Sequence, residues 1–348
     1  MRLDIRYKMH FRYGQAVQES HNEIRMKPRE NRFQKVIYYR LRSNPPVRLL
    51  QAVDYWGTSV DHLGIRSSHT ELELLAESAV ETSPRPTPKS TIRVEDLSEP
   101  DFYSDYYEFL IPSAHVQWSP DDVFVKQASE VARDSNSLLE MVVAVINEAR
   151  NALVYVPDST EIGISLTELF AGGSGVCQDF AHLAIGMLRS VGVPACYVSG
   201  YLFAADETQP IGSLLTDVSA IGSTDVSGSV AEAGELGYTT FGGLGGELDE
   251  VHVQTHAWIM AALPGHGWWA LDPTNGSLVG ERHVIVGYGR DYGDVPPVRG
   301  VYKGPTWSDS DVDSVVIIGR QDTSTEGWDH SVQNAPPHIV VQSGYNPI

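Results

Sequence analysis

Cysteine is nearly absent: the 348 residues hold two, Cys177 and Cys196. Two thiols build neither a disulfide framework nor a zinc site of four thiolates. Lysine is scarce, 6 against 19 arginines, and the 25 basic residues face 45 acidic ones. The formal net charge of −20 excludes the basic surface that sequence-independent nucleic-acid binding needs, and it disfavours anionic membranes. No run of about 18 apolar residues occurs, so no transmembrane helix is expected. The start, MRLDIRYKMHFRYG, has neither an apolar h-region nor a small-residue cleavage site. No signal peptide is therefore expected, and the cytoplasm is the expected compartment.

What is present is ordinary globular composition, 42% hydrophobic and 20% charged. Leu3, Ile5, Tyr7, Met9, Phe11 and Tyr13 alternate with polar residues, the period-two pattern of a half-buried strand. Phe33–Leu41 and Leu72–Val80 repeat it. Turn-rich stretches such as Asn44-Pro45-Pro46 separate them. Residues 1–82 thus read as a small antiparallel β-sandwich. Residues 83–100, with prolines at 84, 86 and 88, read as a linker. Helical character follows. Ser119-Pro120-Asp121-Asp122 resembles a capped helix start, and Leu138–Ala149 gives a further helix. Residues 204–250, rich in Gly, Ser, Thr and acids, read as a flexible insertion in a core spanning 101–348. Gly243-Leu244-Gly245 lacks the strand–helix frame of a dinucleotide fingerprint.

The chemistry concentrates in two segments. In the first, Phe180, Leu183, Ala184, Met187, Leu188 and Val191 form a core-facing helical stripe. Gly172-Gly173-Ser174-Gly175 breaks the chain just before it. Cys177 therefore sits in the first turn of a buried helix, where the dipole favours a thiolate. Asp179, in the same turn, opposes that effect, so a neighbouring base is needed.

The second segment, 255–276, reads as a β-hairpin around Pro264-Gly265. With Leu263-Pro264-Gly265 as the loop, Ala262 faces His266, Met260 faces Trp268, Trp258 faces Ala270 and His256 faces Asp272. Directly opposed Cβ atoms lie about 5 Å apart, so Asp272 can orient the His256 imidazole. A helix-terminal thiol with a His–Asp pair has the logic of a Cys-His-Asp triad: nucleophile, proton carrier and orienter. The Cys177 amide is a candidate oxyanion donor.

Gly175-Val176-Cys177-Gln178-Asp179-Phe180-Ala181-His182, His256-Ala257-Trp258 and Asp272-Pro273-Thr274-Asn275-Gly276, in that order, resemble the transglutaminase-like superfamily. In particular they resemble its prokaryotic cysteine-protease-like branch. Arg282-His283 and Gly289–Pro297 extend the match. Asn22, Arg25, Pro28, Gln34, Asp54 and Gly57 resemble the N-terminal region that accompanies this core in bacteria. The resemblance implies an α+β fold, with a papain-like core in which the cysteine-bearing helix packs on an antiparallel sheet. It implies a catalytic triad of Cys177, His256 and Asp272, no organic cofactor, and amide acyl transfer on a protein or peptide substrate. The long 204–250 stretch departs from the family pattern.

Simpler roles stand beside these. Cys196 lies in an apolar strand-like run and reads as structural. His252 and His256 form H-x3-H, but the intervening residues lack the glutamate of a zincin and read as strand, so no metal is expected. His182 lies about 140° around the helix from Cys177 and is expected to pair with Asp179 or pack internally. Gln178 and Asp179 line the site, as the family implies, or are polar first-turn residues. Trp258 walls the cleft or packs in the core. Asn275 reads as a turn residue. The expected reaction proceeds through a Cys177 thioester, with hydrolysis ahead of transamidation by an amine. A non-catalytic peptide-binding scaffold is the alternative of a different class.

Overall fold

The computed structural model describes residues 1–89, 91–157, 159–203, 250–253, 255–304, 310–320 and 340–342. Of the expected insertion, only Glu250 falls among them. The chain opens with strands β1 (Arg2–Val17), β2 (Glu19–Ile24), β3 (Gln34–Asn44), β4 (Leu50–Val53), β5 (Ser59–Ile65) and β6 (His69–Thr82). Then come α1 (Pro100–Asp105), α2 (Val123–Asp134), α3 (Leu138–Asn151), β7 (Val154–Tyr155), α4 (Leu166–Gly172), β8 (Ser174–Gly175) and α5 (Cys177–Ser190). Strands β9 (Ala195–Leu202), β10 (Glu250–Val253), β11 (His256–Leu263), β12 (Gly267–Asp272), β13 (Ser277–Leu278) and β14 (His283–Gly289) follow. Finally, β15 (Val298–Lys303), β16 (Ser310–Arg320) and β17 (Val340–Gln342) close the order.

Two five-stranded sheets, β10-β16-β1-β6-β3 and β15-β2-β5-β4-β17, make the sandwich. The alternation in β1 is real: Leu3, Ile5, Tyr7 and Tyr13 are buried, and Met9 and Phe11 pack at the margin. A division at 82 does not describe these sheets. Strand β16 pairs with β1 from Leu3 to Tyr13, and β15 pairs with β2. A strand as long as β1 needs ladder partners on both edges, and residues 1–82 supply only β6. The sandwich core also takes Tyr201, Phe203, Val284 and Val286 from β9, its end and β14. Gln34 adds a polar seam. Its side chain donates to the carbonyls of Arg29 and Ile285 at 2.6 and 2.8 Å and accepts from the Ile285 amide at 2.8 Å. The pairing of β17 with β4 is parallel, a departure from an all-antiparallel sandwich.

The third sheet, β13-β12-β11-β9-β14, is antiparallel and carries the helices on one face. Ala257, Ile259, Ala261 and Leu263 of β11 meet α5 there, in one core with α3. Trp258 and Met260 point to the other face, with Cys196 and Val198. Helix α5 is buried from Asp179 to Arg189, so its apolar stripe widens to the whole circumference. Its buried polar residues have partners. Arg189 donates to the carbonyls of Ala195, Ile111 and Arg290. His182 does not pair with Asp179: its Nε2 accepts the Tyr292 amide at 3.1 Å, and its ring stacks on His115. The Ser119 start is displaced as well. Residues 119–122 form a turn, and α2 begins at Val123 with Asp122 at its N-cap.

Gly200 sits between His256 of β11 and Ile285 of β14. A Cβ there would lie 2.1 Å from the Val284 carbonyl and 2.5 Å from the Trp258 ring. Only glycine lets the ring and both strands close on this point. Gly200→Ala is therefore expected to lower stability by about 1–3 kcal/mol, read from the denaturant midpoint.

Burial, and secondarily the neighbouring His115 and Arg189, lower the His182 pKa to about 3 against the pull of Asp291. The unfolded chain takes up this proton below its ordinary value near 6.5, while the folded chain does not. Stability is thus present above that pH and falls progressively toward pH 3, by at most about 1.4 kcal/mol per pH unit. His182→Gln keeps an acceptor for the Tyr292 amide and removes the titration. Urea titrations between pH 6.5 and 4 should show a shallower loss in this variant than in the wild type.

Candidate active site

Cys177 is the first residue of α5 and is half-buried. Asp179 secures that helix start. Its Oδ2 accepts the Val176 amide at 2.9 Å and the Thr160 hydroxyl at 2.5 Å. The carboxylate thus caps the helix and ties Thr160 to its start. Gly175 makes room for it, since a Cβ there would lie 2.7 Å from the Asp179 Cβ. Gln178 occupies the next helical position, half-buried.

His256 opens β11 and Asp272 ends β12. The hairpin register differs from the sequence expectation. Ala262 pairs with Trp268 and Met260 with Ala270, because the loop is Pro264-Gly265-His266. The His266 amide donates to the Leu263 carbonyl, and Gly265 (φ 70°) takes the left-handed position of that turn. Moving the loop by one residue moves every pair by two, and the side-chain period of a strand is also two. His256 and Asp272 therefore keep a common face but become diagonal neighbours. Their side chains still meet: Nε2 of His256 lies 2.7 Å from Oδ2 of Asp272.

Cys177 acts on the same imidazole, as a hydrogen-bonding and charge partner that favours its protonated form. Asp272 is fully buried and His256 nearly so. Burial opposes the charged imidazolium, but Asp272 and Cys177 outweigh it and raise the His256 pKa to about 10. Burial likewise opposes the charged carboxylate. His256 and then His283 outweigh it, and Asp272 stays well below the usual carboxylate range.

Two residues that sequence reasoning did not assign to the site complete the surroundings of Asp272. The Asn275 amide N–H donates to Oδ1 at 3.1 Å, and its side-chain Nδ2 donates to Oδ2 at 2.7 Å. Its turn role, legible from Asp272-Pro273-Thr274-Asn275-Gly276, is therefore only half its work. His283 contacts the same Oδ2 at 3.2 Å. No local spacing marks it, since it opens β14, on the far side of β9 from the hairpin.

Trp258 is fully buried, its ring 5.9 Å from that of His256 and 5.2 Å from that of His283. It packs in the core beneath the imidazoles and presents no surface to a cleft. Cys196 is buried on β9, and burial pushes its thiol well up. His252 lies on β10 in the sandwich, so the H-x3-H pair is split between two sheets.

His256, Asp272 and His283 bring three ligand atoms within 4.8 Å of one another. The Asn275 Nδ2–H donor is directed at the shared carboxylate oxygen and lies 3.4 Å from Nε2 of His256. The cluster is a hydrogen-bond relay in its donor chemistry.

Residues 125–273 match the transglutaminase-like superfamily, a span that includes Cys177, His256 and Asp272. Residues 3–81 match the bacterial transglutaminase-like N-terminal region. A Mycobacterium leprae protein is 33% identical over 319 residues, covering 92% of this chain and 99% of its own. A Mycobacterium tuberculosis protein is 27% identical over 313 residues, covering 86% and 87%. The crystal structure of a "Putative Cysteine Protease from Cytophaga hutchinsonii" superposes with a TM-score of 0.64 at 19% identity, covering 94% of this chain and 93% of that one. No helix among the described residues is long and apolar enough to cross a membrane. The chain belongs to the transglutaminase-like superfamily.

Proposed function

We propose that this protein is a cysteine-dependent acyl transferase acting on an amide of a peptide or protein, with water as the usual acceptor. One observation carries the reading: a half-buried thiol at a helix N-terminus touches a buried imidazole that a buried carboxylate holds. The neighbour from Cytophaga hutchinsonii, designated a "Putative Cysteine Protease", shares the fold that carries this reading.

The Cys177 thiolate attacks the amide carbon, and the carbonyl electrons move onto oxygen. The Cys177 amide at the α5 terminus donates to that oxyanion. As the C–N bond breaks, the His256 imidazolium gives its proton to the leaving amine, and a thioester remains. His256, now neutral, takes a proton from water as it attacks the thioester. The acid leaves and Cys177 is restored. Asp272 holds the imidazole in one tautomer and stabilises it when charged. An amine in place of water gives transamidation by the same steps. Water is favoured because it is always present at an open thioester.

Iodoacetamide labelling, located by mass spectrometry across pH, tests the pair. Cys177 should label rapidly well below pH ~8, Cys196 should label slowly, and His256→Ala should remove the difference. Slow labelling of Cys177 in the wild type would favour a peptide-binding scaffold. For turnover, Cys177→Ala should abolish cleavage of a peptide amide, and Asp272→Asn should lower kcat/KM by about two to four orders of magnitude. Amine incorporation without peptide cleavage would assign transamidation instead.

A further inference from the structure

Two histidines share one buried carboxylate, and the acyl-transfer reading uses only one of them. We infer that His283 is a positioning residue for Asp272, a neutral imidazole whose Nε2–H donates to the carboxylate that orients His256. The inference rests on the proposed function for its consequence, and on hydrogen-bond chemistry for its geometry.

Both ring nitrogens of His283 have partners. The Gly280 backbone amide donates to Nδ1 at 3.3 Å, and Nε2 faces Asp272 Oδ2 at 3.2 Å. A backbone N–H can only donate, so Nδ1 must present its lone pair. A neutral imidazole then carries its proton on Nε2, directed at an ionised oxygen that can only accept. Turning the ring over would put carbons at both places and forfeit both bonds. Trp258, edge-on at 5.2 Å, packs against the ring.

The Gly280 amide also decides which histidine is charged. A second proton on His283 would sit on Nδ1, facing another N–H, inside a site only 5% exposed. Burial lowers the His283 pKa accordingly. His256 differs: its Nε2 lies 2.7 Å from the ionised Asp272 Oδ2, closer than the Asn275 amide at 3.4 Å, and Cys177 also favours its charged form. The imidazolium is thereby assigned to the ring that contacts the nucleophile. His283 meanwhile adds a second side-chain donor, beside Asn275 Nδ2, to the same Oδ2 that meets His256, and so holds the carboxylate in place.

Two measurements on the full-length chain test this. Nitrogen-15 labelling of histidine, with the His283 signals identified by their loss in a variant, should show Nε2 protonated and Nδ1 bare throughout pH 5–9. A doubly protonated His283, or a proton on Nδ1, overturns the assignment. Iodoacetamide labelling of Cys177 at pH 7 should slow about tenfold or more in His283→Leu, the loss of one hydrogen bond to a charged group. His283→Gln, which returns an N–H near the Nε2 position, should recover most of that rate. Thermal melts of both variants confirm folding. Equal slowing in folded Leu and Gln variants, or none in Leu, would leave His283 a packing residue and overturn the inference. If wild-type Cys177 is itself unreactive, the acyl-transfer reading fails while the tautomer measurement still decides the geometry.

Discussion

The contact between His256 and Asp272 is the constraint on which the rest of this structure converges. A carboxylate with no solvent exposure pays a large desolvation cost, and a lone imidazolium beside it does not return all of it. The site offsets the remainder with donors from several places: Asn275 twice, from the turn after β12, and His283 from the start of β14. Each is brought in by a different segment. The ionised state of Asp272 therefore depends on sheet closure as much as on the hairpin that carries it.

Packing is arranged to hold that closure rigid. Gly200 has no side chain because the Val284 carbonyl and the Trp258 ring occupy its space. Trp258, pressed there, forms the floor beneath both imidazoles. The sandwich reaches the same region through Gln34, which joins Ile285 of β14 as a strand would. Strand β14 is thus held on one side by β9 and on the other by residues from the first forty of the chain. The N-terminal sheets are part of the scaffold of the site, and the return of β15 and β16 into them makes the coupling mutual.

Local rules read some elements directly from the residues. Period-two alternation in β1, the apolar stripe of α5 and the glycine run before Cys177 each reflect one element meeting one environment. Where two elements had to be placed together, the same rules slipped. Pro264 and Gly265 announced the hairpin but not its loop boundary, and a one-residue shift turned an opposed His–Asp pair into a diagonal one. The common face survived because the strand period equals the size of the slip. Trp258 was equally compatible with cleft or core, and the cluster on its sheet face, with Cys196 and Val198, buries it fully. His182 packs internally, one of its two expected roles, and there meets Tyr292, a residue 110 positions away, and not its helical neighbour Asp179.

The sequence by itself determined the class of the protein, the helix that presents Cys177 and the shared face of His256 and Asp272. The class follows from the resemblance of three motifs, in order, to a known family; the helix and the shared face follow from spacing within a single helix or hairpin. Tertiary structure alone decided that strands after residue 298 complete the first sheets, that Gly200 is a point of contact, and that Asn275 and His283 hold Asp272. Unpaired strand edges, desolvated charge and steric exclusion are satisfied by whatever residue the fold brings near. Sequence distance does not record that proximity.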